Sequence, residues 1–285
     1  MERLRPALGP ERRQQPAAGD TILLEVLSIA GLRSPAALVR IGQVFDEDPD
    51  FRLERLSPRD PPRTPVASAA EALGAWQPAA RDLARGWYFF GNRRKQPRGR
   101  TTIEIDATMP GRVPLTSVRC AYAAGWFARP ERVDQLVRHF GHLCEATNAF
   151  YGRAALGATY DQRNLLLTLA RGLESSPWPD FERELPDVYW LNFFGPGYLD
   201  HWEAGLNDLG VRRDRVAGGV IVWAADRPPP VAEVGAITDY PFKQAFYAAL
   251  GQDTFMSERQ HRGLPGEHVP TYEAHRRHLP PDKRQ

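Results

Sequence analysis

"GWYFFGNRRKQPRGRTTIEIDATMPGRVPLTSVRCAYA", residues 86–123, decides the fold class. Three pieces of it, GWYFFG, RTTIEIDAT and TSVRCAYA, carry the aromatic and β-branched chemistry of strands. The intervening GNRRKQPRGR and MPGRVPL carry the Gly, Pro and charge of turns. Three strands this close in sequence predict an antiparallel meander.

Outward from the meander, strands and helices mix. TILLEVLSIAG reads as a buried strand before a glycine. SPAALVRIGQVFDED reads as a helix with Ser34 as N-cap, Pro35 in its first turn, and Leu38, Ile41 and Phe45 on one face. DFRLERLS alternates as a short half-exposed strand. VASAAEALGAWQPAARDLARG is alanine-rich and helical, interrupted near Pro78. RPERVDQLVRHFGHLCEATNAFYG is the clearest helix: Val133, Leu136, Val137, Phe140, Leu143 and Cys144 form one apolar stripe, with Gly152 as its stop. YDQRNLLLTLARGL predicts another helix, capped by Asp161. DVYWLN alternates as a strand that Gly195-Pro196-Gly197 breaks. Pro196 then suits the first turn of a helix presenting Tyr198, Leu199, Trp202 and Leu206. AGGVIVWAAD is a last strand, and DYPFKQAFYAALG a short helix capped by Asp239, with Phe242, Phe246 and Leu250 inward. These elements imply an α+β fold, a single domain with a mixed, mainly antiparallel sheet packed by helices. Residues 1–16 read as a disordered arm, 17–251 as the domain, and 252–285 as a His- and Pro-rich tail, disordered or draped over it.

Composition narrows the function classes. The chain has 285 residues, 42% hydrophobic and 25% charged, with a formal net charge of +2. A chain this long buries enough apolar surface to fold without staples. The near-balance of charge argues against a dedicated nucleic-acid binder. Lysine occurs only at Lys95, Lys243 and Lys283, and the arginine excess fits a GC-rich genome. Cys120 and Cys144 are too few for a disulfide framework and suit a reducing cytoplasm. No signal peptide or membrane span is legible.

Catalytic motifs are wanting. FGPGYLD lacks the third glycine of a dinucleotide fingerprint and the Gly-Lys-Ser/Thr end of a phosphate loop, so it reads as a structural turn. His139, His142 and Cys144 lie on one helix without converging partners, so no metal site is expected. Asp200, His201 and Glu203 are neighbours on a helix and point apart, so they form no triad. No Gly-x-Ser-x-Gly elbow is present. No cofactor is expected and the chain does not read as an enzyme. The candidate partner-binding residues are Arg93, Arg94 and Lys95 of the basic loop, and Tyr198, Asp200 and His201 after the Gly-Pro-Gly. The aromatic cluster from Tyr189 to Trp202 reads chiefly as core.

The order of GWYFFG, VRCAYAAGWFARPERVDQLVRHFGHLCEATNAFYGRAAL, LPDVYWLNFFGPGYLDHW and GGVIVWAADRPPP resembles bacterial polymorphic-toxin immunity proteins, in particular the Immunity protein 52-like group. The resemblance spans about residues 20–230. It implies a cytoplasmic α+β protein that binds and neutralises a cognate toxin domain, with neither nucleic acid nor membrane as partner. It transfers no toxin-contacting residue and leaves the oligomeric state open. The competing readings are an enzyme or ligand-binding protein with a site near residues 192–203, and a phage-associated structural component.

Overall fold

A computed structural model describes residues 21–76, 86–107, 113–158, 181–182, 184–228, 241–251, 254–255 and 269–284. The expected N-terminal arm, the 160–173 helix with Asp161, the break near Pro78, the Asp239 cap and the inward face of Phe242 lie outside the described residues and side chains.

The meander is present: β3 (Trp87–Arg93), β4 (Gly99–Ala107) and β5 (Leu115–Ala123) pair antiparallel in sequence. They belong to a nine-stranded sheet ordered β2-β3-β4-β5-β1-β6-β7-β9-β8. The remaining strands are β1 (Thr21–Ser28), β2 (Arg55–Ser57), β6 (Tyr151–Leu156), β7 (Leu191–Phe194), β8 (Arg213–Val216) and β9 (Gly219–Trp223). Every pair of named strands described is antiparallel, in keeping with the expected mainly antiparallel sheet. Its centre is β1, which joins the meander through β5 and the second half through β6.

Helices cover both faces. On the first face lie α1 (Pro35–Glu47), α2 (Ala69–Gly74) and α3 (Pro130–Thr147). The Ser34 hydroxyl accepts from the Ala37 amide and Pro35 opens α1, the cap the sequence announces. All six apolar-stripe residues of α3 are buried. Tyr122 on β5 meets α3, its hydroxyl 3.0 Å from His139 Nε2. The His139 ring stacks on Phe51 at 4.1 Å. On the second face, α4 (Pro196–Asp208) packs Tyr198 and Trp202 against Phe194 of β7. α5 (Pro241–Leu250) and α6 (Tyr272–Arg276) flank α4. The described part of the C-terminal segment is draped on the domain: His275 and Leu279 are buried.

Two local expectations are corrected. α3 stops at Asn148, whose left-handed backbone (φ 49°) forms the C-cap, and not at Gly152. Gly152 sits within β6, where the Phe140 ring would be 2.9 Å from an added Cβ. The β2 strand is only three residues long.

Candidate partner-binding surface

Glu25 is the one acidic residue in the apolar run of β1, and it is fully buried. Its cross-strand partners are Arg119 on β5 and Arg153 on β6. Arg119 Nη2 reaches Oε1 at 2.7 Å and Arg153 Nη2 reaches Oε2 at 2.5 Å. Arg153 also donates to the Tyr189 hydroxyl at 2.6 Å. The Tyr189 backbone is held in turn by the Asn192 side chain, which accepts from its amide and donates to its carbonyl. Burial alone would raise the Glu25 carboxyl. The charges of Arg153 and then Arg119, with their hydrogen bonds, outweigh it and hold the group at about 2. Glu25 is therefore a fixed anion that clamps three strands, unsuited to proton transfer near neutral pH.

This ionic row divides the second face. Towards β6 and β7 the face is buried under α4, whereas towards β3 and β4 it meets solvent. There Tyr88 is 40% exposed, the one exposed large hydrophobic side chain among the described residues. Phe90, Thr102 and Glu104 beside it are half-buried. Tyr88 pairs in register with Glu104. Burial raises the Glu104 carboxyl above its ordinary value, with Arg119 opposing and Glu25 adding to the rise.

Beyond this open face lies a basic corner. Pairing of β2 with β3 puts Arg55 opposite Asn92 and lays residues 52–63 along the β3–β4 hairpin. Arg93 bridges the two segments, donating to the carbonyls of Arg52 at 3.1 Å and Gln96 at 3.0 Å. The Arg94 amide donates to Glu54 Oε2 at 3.2 Å, and Arg100 pairs with Asp60 at 3.3 Å. Arg59, Arg63, Arg94, Lys95 and Arg98 are exposed, and no ion pair holds them among the described residues.

The sequence-derived residues thus separate. Arg93 belongs to β3 and is engaged with backbone, while the Arg94 and Lys95 side chains are exposed in the hairpin turn. Tyr198 is corrected from partner surface to core: it is fully buried and stacked on Trp202 at 4.8 Å. Asp200 and His201 are exposed on α4, and Asp200 meets His278 Nε2 at 2.8 Å. Glu203 pairs with Arg215. Five strand spacings separate β3 from β7, about 24 Å at ~4.8 Å each, so the hairpin and α4 residues do not form one surface. Sequence reasoning passed over Arg59, Arg63, Tyr88 and the Glu25 row. A lone Glu inside TILLEVLS was the available signal, because a buried carboxylate needs a cationic partner. Among the described residues no three His, Cys, Asp or Glu converge as a metal site.

No family model matches the sequence, and no curated protein matches it. Among solved structures, the Pseudomonas aeruginosa T6SS protein PA0821 is similar at a TM-score of 0.51 and 15% identity, covering 90% of this chain and 80% of that one. At that identity the likeness is one of fold: a single α+β domain with a large antiparallel sheet packed by helices. No described helix is long and apolar enough to cross a membrane.

Proposed function

We propose that this chain is an immunity protein of a bacterial toxin system, acting in the cytoplasm by stoichiometric binding to a cognate toxin domain and without catalysis. The observation that carries the reading is the open end of the sheet, where Tyr88 stands exposed beside Phe90 and a rim of exposed cations without an ion-pair partner among the described residues. Tyr and Arg on a rigid platform are the residue types that anchor protein interfaces. β3 and β4 are paired in register and β4 joins β5 of the Glu25 cluster, so little order has to be created on binding. Two further points support the reading: the resemblance to Immunity protein 52-like sequences, and the fold shared with a Pseudomonas aeruginosa T6SS protein. Tight inhibition needs an interface of roughly 1,200–2,000 Å² in total.

The test is purification of the tagged full chain from its native host, with mass spectrometry of what travels with it through size exclusion. The expected result is one stoichiometric protein that is toxic when expressed alone and harmless when this chain is co-expressed. A chain that elutes without a partner and rescues no toxic neighbour gene overturns the proposal.

A further inference from the structure

Charge is distributed unevenly in a way the total conceals. Residues 52–63 carry four arginines against two acids, and residues 92–100 four arginines and a lysine against none, a net of +7. The whole chain is +2, so everything outside these two segments sums to −5. The segments are forty residues apart in sequence, and the β2–β3 pairing brings them together. Arg93 ties them through the Arg52 carbonyl and Arg100 through Asp60. Two acids in the patch are already used inside it: Glu54 accepts from the Arg94 amide and Asp60 from Arg100. The exposed cations that remain contribute nothing to the fold that the described structure shows, and clustered like charge without internal partners costs self-repulsion. From this we infer that the β2–β3–β4 corner docks an acidic surface of a protein partner, with Arg94, Lys95 and Arg98 of the hairpin turn and Arg59 and Arg63 of the neighbouring loop meeting its carboxylates.

The inference rests on the immunity reading and supplies the partner's chemistry. A compact acidic protein face fits this corner better than a nucleic acid does. The positive charge is confined to two short segments, a local patch that a compact acidic face can match, while the rest of the chain sums to −5 and offers a long polyanion no net attraction. Arginine guanidinium groups in pairs suit bidentate carboxylate contact, and the apolar surface of exposed Tyr88 and half-buried Phe90 lies along β3 beside them. Such a patch steers encounter, so association accelerates as salt is lowered.

The experiment uses the full chain in its native host with a photo-crosslinking amino acid at Lys95, and in a second strain at His201 on α4. The expected result is an adduct from Lys95 to a glutamate- and aspartate-rich peptide of one protein, with none from His201. The substitutions Arg94→Glu, Lys95→Glu and Arg98→Glu together should then weaken the purified complex at least tenfold, abolish most of its salt dependence and leave the chain's melting temperature unchanged. A protein adduct from His201 alone, or from Lys95 to a basic peptide, overturns the acidic docking surface while leaving immunity standing. An adduct that nuclease removes identifies nucleic acid as the ligand and overturns the inference. No adduct at either position, with no partner in the purification, overturns both readings.

Discussion

Glu25 and Arg153 face each other across β1 and β6 with 2.5 Å between Oε2 and Nη2, both shielded from water. Arg119 completes the pair from the other neighbouring strand. Removing one partner of such a cluster leaves an uncompensated buried charge. Glu25→Gln should therefore destabilise the protein by roughly 3–5 kcal/mol. Urea unfolding followed by tryptophan fluorescence measures it. An unchanged midpoint would mean that the clamp adds nothing to stability.

Acid should weaken the protein through two buried histidines before the Glu25 carboxylate titrates. Burial holds His139 at about 3, and burial with His278 and His201 holds His275 at about 3. In the unfolded chain both titrate near 6.5. The unfolded state therefore takes up protons first. The stability tied to neutral His139 and His275 is complete above pH 6.5 and drains as pH falls towards 3. Each contributes a slope of up to about 1.4 kcal/mol per pH unit well below 6.5. Between pH 6 and 5 the Glu25 carboxylate, at about 2 when folded and 4.5 in its ordinary state, adds little. His139→Gln should lower the slope there by about half; denaturant midpoints at three pH values decide it, and an unaltered slope refutes it.

Trp190 is 2% exposed, donates its indole N–H to the Ala225 carbonyl at 2.9 Å and meets Trp223 edge-on. Trp190→Ala should cost roughly 3–5 kcal/mol through cavity formation and the orphaned carbonyl. A urea midpoint equal to that of the parent would contradict its place in the core.

Gly42 lets α1 and α2 touch: a Cβ there would lie 2.4 Å from the Ala70 Cα. Backbone cannot move aside as a side-chain tip can. Gly42→Ala should destabilise by about 1–3 kcal/mol despite alanine's better helix propensity. Thermal unfolding gives the sign, and a gain in melting temperature would show that the helices separate freely.

The basic hairpin should divide by role. Arg94→Ser, Lys95→Ser and Arg98→Ser should each change stability by no more than about 0.5 kcal/mol. Arg93→Ser releases two carbonyl contacts and should cost about 1 kcal/mol. Equal effects at Arg93 and Lys95 would erase the distinction between tether and exposed cation.

Local chemistry made much of the fold legible. Ser34-Pro35 and Gly195-Pro196 set helix starts because a fixed proline φ and a missing N–H suit that position and few others. The stripe of α3 and the strand chemistry of β3, β4 and β5 announced these elements before any partner was known. Two strands escaped. β6 is buried along its whole length and so shows no alternation, and its YGRAAL lacks the β-branched residues that mark strands. β8 is a short RDRV edge strand whose polar pattern resembles a loop.

The sequence alone determined that this chain builds an α+β domain with a mainly antiparallel sheet, because residue periodicity and turn chemistry act over neighbouring residues. Only the tertiary structure decided where its charges act. Strand register set Glu25 between two arginines, and β2–β3 pairing joined two basic segments into one corner. Packing of α4 under α6 turned Tyr198 from a candidate contact into core. Those outcomes depend on contacts between residues forty to more than a hundred positions apart, and no local propensity encodes such distances.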